Sequence, residues 1–149
     1  MDIGTDHDIR TTALAFDYGA RRIGAAFANR ATGTATALTT LPNRHPDELS
    51  RGLRALFREW EPDAIVVGVP YNMDGSESAM TAAAISFAEG LGEDYQLPVD
   101  RVDERLTSAE AETMLREQRR TGQRRRQVRR EDIDSLSARI IAESWLRNE

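Results

Sequence analysis

The sequence predicts an α/β fold: a mixed five-stranded sheet, three strands in an antiparallel meander and two parallel, flanked by helices. Three observations carry that expectation. Three short apolar runs lie close together near the N-terminus, separated by turn formers. A later run, Ala64 to Val69, is apolar without interruption, and the segments around it carry apolar residues at helical spacing.

Thr11 to Phe16 and Ile23 to Ala28 are the first two runs, divided by a Gly-containing turn, and the threonine-rich Thr34 to Leu41 is the third. Pro46 begins a helix in which Leu49, Leu53, Leu56, Phe57 and Trp60 recur at helical spacing until Glu61-Pro62 stops it. Ala64 to Val69 then suits a central strand buried on both faces by parallel neighbours. The turn formers from Val69 to Glu77 lead into an alanine-rich helix, Ala79 to Leu91, with Ser76 as its expected N-cap. Leu97 to Val102 is the fifth strand. Asp103-Glu104-Arg105-Leu106 carries the chain to Thr107 and Glu110, which fit a capping box. The last helix is expected from Asp132 to Leu146, burying Ile133, Leu136, Ile140, Ile141 and Trp145 or Leu146. No internal repeat is visible.

A chain of 149 residues suits one domain with a single core, expected over residues 11–149, with Met1 to Arg10 as a disordered extension. No run of about 18 apolar residues occurs, and Asp2, Asp6 and Asp8 stand where a signal peptide carries basic charge, so a soluble, cytoplasmic protein with no membrane partner is expected. Without cysteine there is no disulfide, thiolate nucleophile or zinc-thiolate site, and His7 and His45 are the only imidazoles. A metal site would rest mainly on oxygen ligands. Every one of the 20 basic residues is arginine, which removes Schiff-base chemistry and a P-loop lysine. The net charge of −5 hides an uneven distribution, because Arg116 to Arg130 is a dense basic block. Such a block is either a solvated loop or a phosphate clamp built from planar guanidinium forks.

The residue most suggestive of chemistry is Asp17, at the end of the first strand in Phe16-Asp17-Tyr18-Gly19. A carboxylate at the rim of a buried strand is costly unless hydrogen bonds or a cation satisfy it. A turn-forming Asp before Gly19 is the plain alternative.

Four ordered blocks carry a resemblance: Phe16-Asp17-Tyr18-Gly19 with Arg22-Ile23-Gly24; Gly68-Val-Pro70-Tyr-Asn72-Met-Asp74-Gly75-Ser76; Asp103-Glu104-Arg105-Leu106-Thr107-Ser108; and Asp134-Ser135-Leu136-Ser137-Ala138. Together they span roughly residues 11 to 147. The chain resembles the YqgF or RuvX family, nucleases assigned to precursor 16S ribosomal RNA and related to Holliday-junction resolvases. The resemblance implies a ribonuclease H-like fold and a nuclease whose acidic residues hold Mg²⁺ or Mn²⁺, with two ions expected. Phosphodiester hydrolysis needs an activated water and stabilisation of developing charge, which paired cations supply together. Asp17, Glu104 and Asp134 form the implied catalytic and metal-binding set, and their convergence follows from the implied fold rather than from their spacing. Candidate nucleic-acid contacts are Arg22, Asn72, Ser76 and Arg105, with Arg119, Arg120, Arg124, Arg125 and Arg126 from the basic block. The implied partners are precursor 16S rRNA or branched DNA, together with the ribosomal small subunit, for a monomer or homodimer.

Alternatives stand beside each residue. Asp134 could answer the positive end of a helix, a role Asp132 shares. Asp103 rather than Glu104 could face the site, since adjacent strand residues point to opposite faces. Asp74-Gly75 is an ordinary turn pair as well as a possible metal neighbour. The strand ending at Pro70-Tyr71-Asn72 carries no carboxylate where related resolvases commonly place one, and Ser135, Ser137 and Arg139 depart from the more aliphatic family pattern. Two other classes remain. Asp17-Tyr-Gly19 with Gly24 also resembles the phosphate loop of actin-like ATPases and sugar kinases, which generally need two such domains. A non-catalytic RNA- or ribosome-binding module is the third reading.

Overall fold

β1 (Thr12–Asp17) lies at the centre of a sheet ordered β3-β2-β1-β4-β5, because neither of its faces tolerates water: Ala13, Leu14, Ala15 and Phe16 are fully buried. In this computed structural model residues 10–105 and 130–148 are described, the side chains of 130–135 excepted. β2 (Arg22–Asn29) runs antiparallel to β1 and β3 (Thr34–Pro42) antiparallel to β2, which makes the meander. β4 (Ala64–Val69) pairs parallel with β1, and β5 (Val99–Asp103) parallel with β4. Every residue of β4 is buried, as its unbroken apolar sequence predicts for a strand covered on both faces.

The two faces have different partners. Leu14, Phe16, Ile65 and Val67 pack beneath α1 (Pro46–Trp60) and α2 (Ala79–Tyr95), against Leu53, Leu56, Phe57, Ala88 and Leu91. Phe57 stacks on Tyr95 at 3.8 Å between ring centroids, and Phe16 meets Phe87 edge-on at 5.8 Å. Such ring pairs contribute about 0.5–1.5 kcal/mol each beyond their buried area, and they fix the strand that ends in Asp17. A bulge in β3 opposite Ala25 and Ala26 leaves Leu38 and Leu41, three residues apart, both against this core. The other face is paved with Ala13, Ala15, Ala26, Ala28 and Ala64, small enough for α3 (Arg130–Arg147) to lie close with Ala138, Ile141, Ala142 and Trp145.

Arg30 latches the end of α3. Its guanidinium stacks 3.6 Å over the Trp145 ring and donates to the carbonyls of Trp145 and Asn148, each at 2.9 Å. Trp145 in turn donates to Asp100 at 2.8 Å, and Asp100 pairs with Arg10 at 2.7 Å. Arg10, assigned by sequence to the extension, is therefore tied to the sheet. These contacts hold the C-terminal end of α3 beside the start of β5. The helix consequently runs back over the sheet toward the ends of β1 and β4.

Several expected boundaries move. Ser76 is not the N-cap of α2; Ser78 is, accepting from Thr81 N–H at 3.3 Å while its own N–H donates to the Thr81 hydroxyl at 2.9 Å. Ser76 is unavailable because it bonds within the preceding loop. α2 continues through Gly90 and Gly92 to Tyr95 and stops at Gln96, whose φ is 56°. β5 starts at Val99, since Pro98 has no N–H to enter the ladder, and ends at Asp103. α3 begins before Asp132, so residue 134 lies beyond its first turn, which weakens the helix-end account of Asp134. Residues 1–9, Thr107, Glu110 and the block from Arg116 to Arg129 lie outside the described residues.

Candidate functional site

The ladder brings Asp17 opposite Gly68 of β4 on one side and Gly24 of β2 on the other. Residues in register point to the same face, and Asp17 continues the Ala13, Ala15 series, so its carboxylate is on the α3 side. Gly68 continues Ala64 and Val66 on that same face. A Cβ built on Gly68 would lie 2.7 Å from Oε2 and 2.8 Å from Cγ of Glu104. The missing side chain is thus the space that the Glu104 carboxylate occupies. Neighbouring strands are about 4.8 Å apart, so Asp17 and Glu104 are side-by-side groups over one glycine.

Glu104 follows β5 directly, and its N–H still donates to the Val69 carbonyl at 3.0 Å. The residue is 8% exposed, unusual burial for a carboxylate. Asp103 turns the other way. Its carboxylate takes a 2.5 Å ion pair from Arg105, whose Nε and backbone N–H also donate to it. The Arg105 hydrogen bonds hold the Asp103 carboxyl below the usual carboxylate range, and Asp103 holds the guanidinium pKa up.

The loop after β4 is built from its own polar groups. Asn72 Nδ2 donates to Ser76 Oγ at 2.9 Å, and Ser76 donates to Asp74 from Oγ at 2.6 Å and from its N–H at 2.9 Å. Those bonds lower the pKa of Asp74, which is exposed in the turn. Thr81 Oγ1 donates to the Pro70 carbonyl, tying the loop to α2. Arg105 reaches across to the Met73 carbonyl at 3.4 Å. Asn72, Ser76 and Arg105 therefore all take part in shaping the loop.

Arg22 opens β2 beside Asp17. Gly19 lets the intervening turn close, since a Cβ there would meet the Arg22 carbonyl oxygen at 2.5 Å. Tyr18, Gly19, Arg21, Arg22, Pro70 and Glu104 border a cleft of about 350 Å³ at this end of the sheet. The structure thus brings together Asp17, Glu104 and Arg22. Residue 134 precedes Ala138 by four and Ile141 by seven, the spacing of the sheet-facing stripe, while the Asp134 side chain lies outside the described residues. Arg119, Arg120, Arg124, Arg125 and Arg126 lie outside them too.

Among the described residues no group of three Asp, Glu, His or Cys side chains is gathered to hold a metal ion. Two neighbouring carboxylates, however, match the chemistry of Mg²⁺, which binds through one or two carboxylates and substrate phosphates while keeping several waters. Sequence reasoning quoted Gly68 as part of the resemblance but gave it no role in the site. Its signal was present as the single glycine in Ala-Ile-Val-Val-Gly-Val, because a glycine inside a strand marks a close approach of another group.

The geometry agrees with what the chain is similar to. Residues 11–148 match the RuvX family, described as Holliday junction resolvase. The chain belongs to the RuvX family. A relative from Saccharophagus degradans assigned as a pre-16S rRNA nuclease is 39% identical over 91% of this chain and 93% of its own length. One from Hahella chejuensis with the same assignment is 43% identical over 91% of this chain and 83% of its own. Among solved structures, Thermus thermophilus RuvC covers 92% of this chain and 96% of that one with a TM-score of 0.54 at 12% identity. The yeast mitochondrial Holliday junction resolvase Ydc2 gives 0.53 at 15% identity, covering 91% of this chain and 77% of that one. Both likenesses speak to the fold, which is ribonuclease H-like. No helix among the described residues is long and apolar enough to cross a membrane.

Proposed function

We propose that this RuvX family member is a divalent-metal-dependent nuclease that trims the 5′ end of precursor 16S rRNA in the cytoplasm, with the ribosomal small subunit as partner. The observation that carries the reading is the Asp17 and Glu104 pair on one face of the sheet, accommodated by the bare Cα of Gly68. The relatives' assignment to pre-16S rRNA supports the substrate. Asp17, Glu104 and Asp134 would hold Mg²⁺ or Mn²⁺, which supplies water activation and neutralises charge developing on the phosphoryl oxygens.

The chain's own groups account for the rest. Two adjacent carboxylates repel a phosphodiester, so without a cation substrate is held away from them, and activity depends on the metal. Arg22, at the cleft, offers a guanidinium fork to a phosphate oxygen beside the pair. The β4 and β5 ladder holds Glu104 so that little side-chain freedom is lost when substrate arrives. Water attacks phosphorus and gives up a proton to solvent, the bond from phosphorus to the leaving ribose oxygen breaks, and that oxygen takes up a proton from solvent.

The family description favours a second reading, a junction resolvase. Cleavage of a 5′-extended precursor 16S RNA and of a four-way DNA junction, by wild type and Asp17→Asn with Mg²⁺ or Mn²⁺, separates the readings. The proposal expects metal-dependent cutting of the RNA, lost in Asp17→Asn. Cutting of the junction alone selects the resolvase, and binding of RNA with no cutting by either metal selects a non-catalytic module.

A further inference from the structure

A second concavity adjoins the acidic cleft on the meander side. Arg21, Arg22, Thr40, Pro42 and Arg44 line a groove of about 380 Å³, and Arg21 and Arg22 belong to both depressions. Among the described residues no carboxylate lines it. Its residues come from the β1–β2 turn, the end of β3 and the link to α1, and the ladder places Arg22 opposite Pro42. Asn43 joins them: its N–H donates to the Arg21 carbonyl and its Nδ2 to the Gly19 carbonyl, both at 2.8 Å. Arg44 is thereby carried to the turn that follows Asp17.

Arg21 and Arg44 are exposed, and neither side chain forms an ion pair among the described residues. Like charges gathered in one groove repel, which disfavours the arrangement unless an anion lies between them. In a chain of net charge −5 this is a local positive track leading to an acidic pair. A phosphodiester strand supplies anions in series. Guanidinium forks match its phosphate oxygens.

We propose that Arg21 and Arg44 hold backbone phosphates of the scissile strand next to the one cut, so that this strand crosses the β2–β3 side of the sheet. The inference rests on the nuclease reading and adds the strand's path to it. Position in the groove sets which phosphate reaches Asp17 and Glu104, while the arginines themselves take no part in bond breaking.

The test is fluorescence anisotropy of a labelled single-stranded oligouridylate at several salt concentrations, without added divalent cation. Wild type is compared with Arg44→Gln, with Arg21→Gln/Arg44→Gln, and with Arg58→Gln on the exposed side of α1. Each lost phosphate contact should reduce the slope of log affinity against log salt by about 0.7, hence about 1.4 for the double variant. Arg58→Gln should match wild type, and inorganic phosphate at millimolar levels should compete poorly. On precursor RNA with Mg²⁺, the double variant should raise KM several-fold and leave kcat near wild type. If wild type binds and cuts while the double variant keeps its slope and KM, the groove is not the track. Wild type that neither binds nor cuts RNA overturns the proposed function along with it.

Discussion

Replacing Gly68 by alanine tests the construction of the site with one methyl group. The new Cβ would stand 2.7 Å from Oε2 and 2.8 Å from Cγ of Glu104, and would press on Cδ1 of Ile141. Ile141 is completely buried and Glu104 nearly so, so neither can move without disturbing the core or the carboxylate pair. Overpacking of this kind costs about 1–3 kcal/mol. For a chain of this size each kcal/mol lowers Tm by about 2–4 °C, so a loss of roughly 2–12 °C is expected by thermal unfolding. Displacing Glu104 should also reduce metal-dependent cleavage at least about tenfold, which is about 1.4 kcal/mol of transition-state stabilisation. A second variant separates the two effects: Gly68→Ala with Ile141→Val removes Cδ1 and should regain part of the lost Tm, while cleavage stays low because Glu104 is still displaced. Unchanged Tm in Gly68→Ala would refute the packing of Glu104 over Gly68. Lost stability with full cleavage would refute the role given to that packing.

The latch on α3 and the loop after β5 give two further outcomes. Arg30→Ala removes a ring contact and two charged hydrogen bonds to helix-end carbonyls, at an expected cost of about 2–4 kcal/mol by urea denaturation, and a cost below about 1 kcal/mol would contradict the anchoring role. Arg105 holds the Asp103 carboxyl low, so the folded form binds a proton less readily than the unfolded form. The stabilisation is complete above the ordinary Asp pKa of about 3.9 and is lost as pH falls through the lower folded value. Asp103→Asn should therefore lose less stability than wild type on acidification below about pH 4, and parallel pH curves for the two proteins would count against the pairing.

Much of the fold was legible because burial writes itself into local sequence. Ala64 to Val69 had to be a doubly covered strand, and the apolar spacing from Leu49 to Trp60 had to be a helix. The N-cap of α2 was misplaced because Ser76 and Ser78 have equal local credentials. Only the loop's hydrogen bonds show that Ser76 is already engaged with Asn72 and Asp74. Sequence alone likewise left Asp103 and Glu104 as rivals for one position.

By itself, then, the sequence determined the order of elements, the absence of cysteine and lysine chemistry, and the strand-end carboxylates as candidates. These depend on residue type and short-range periodicity, which chain neighbours suffice to express. Tertiary structure decided which residues share a face. The parallel register of β1, β4 and β5 sets Gly68 beside Asp17 and beneath Glu104, residues far apart along the chain. Asn43 brings Arg44 to the turn at Arg21 by hydrogen bonds that no local pattern encodes. Strand register and long-range hydrogen bonds are collective properties of the folded chain, so the site exists only once the sheet has formed.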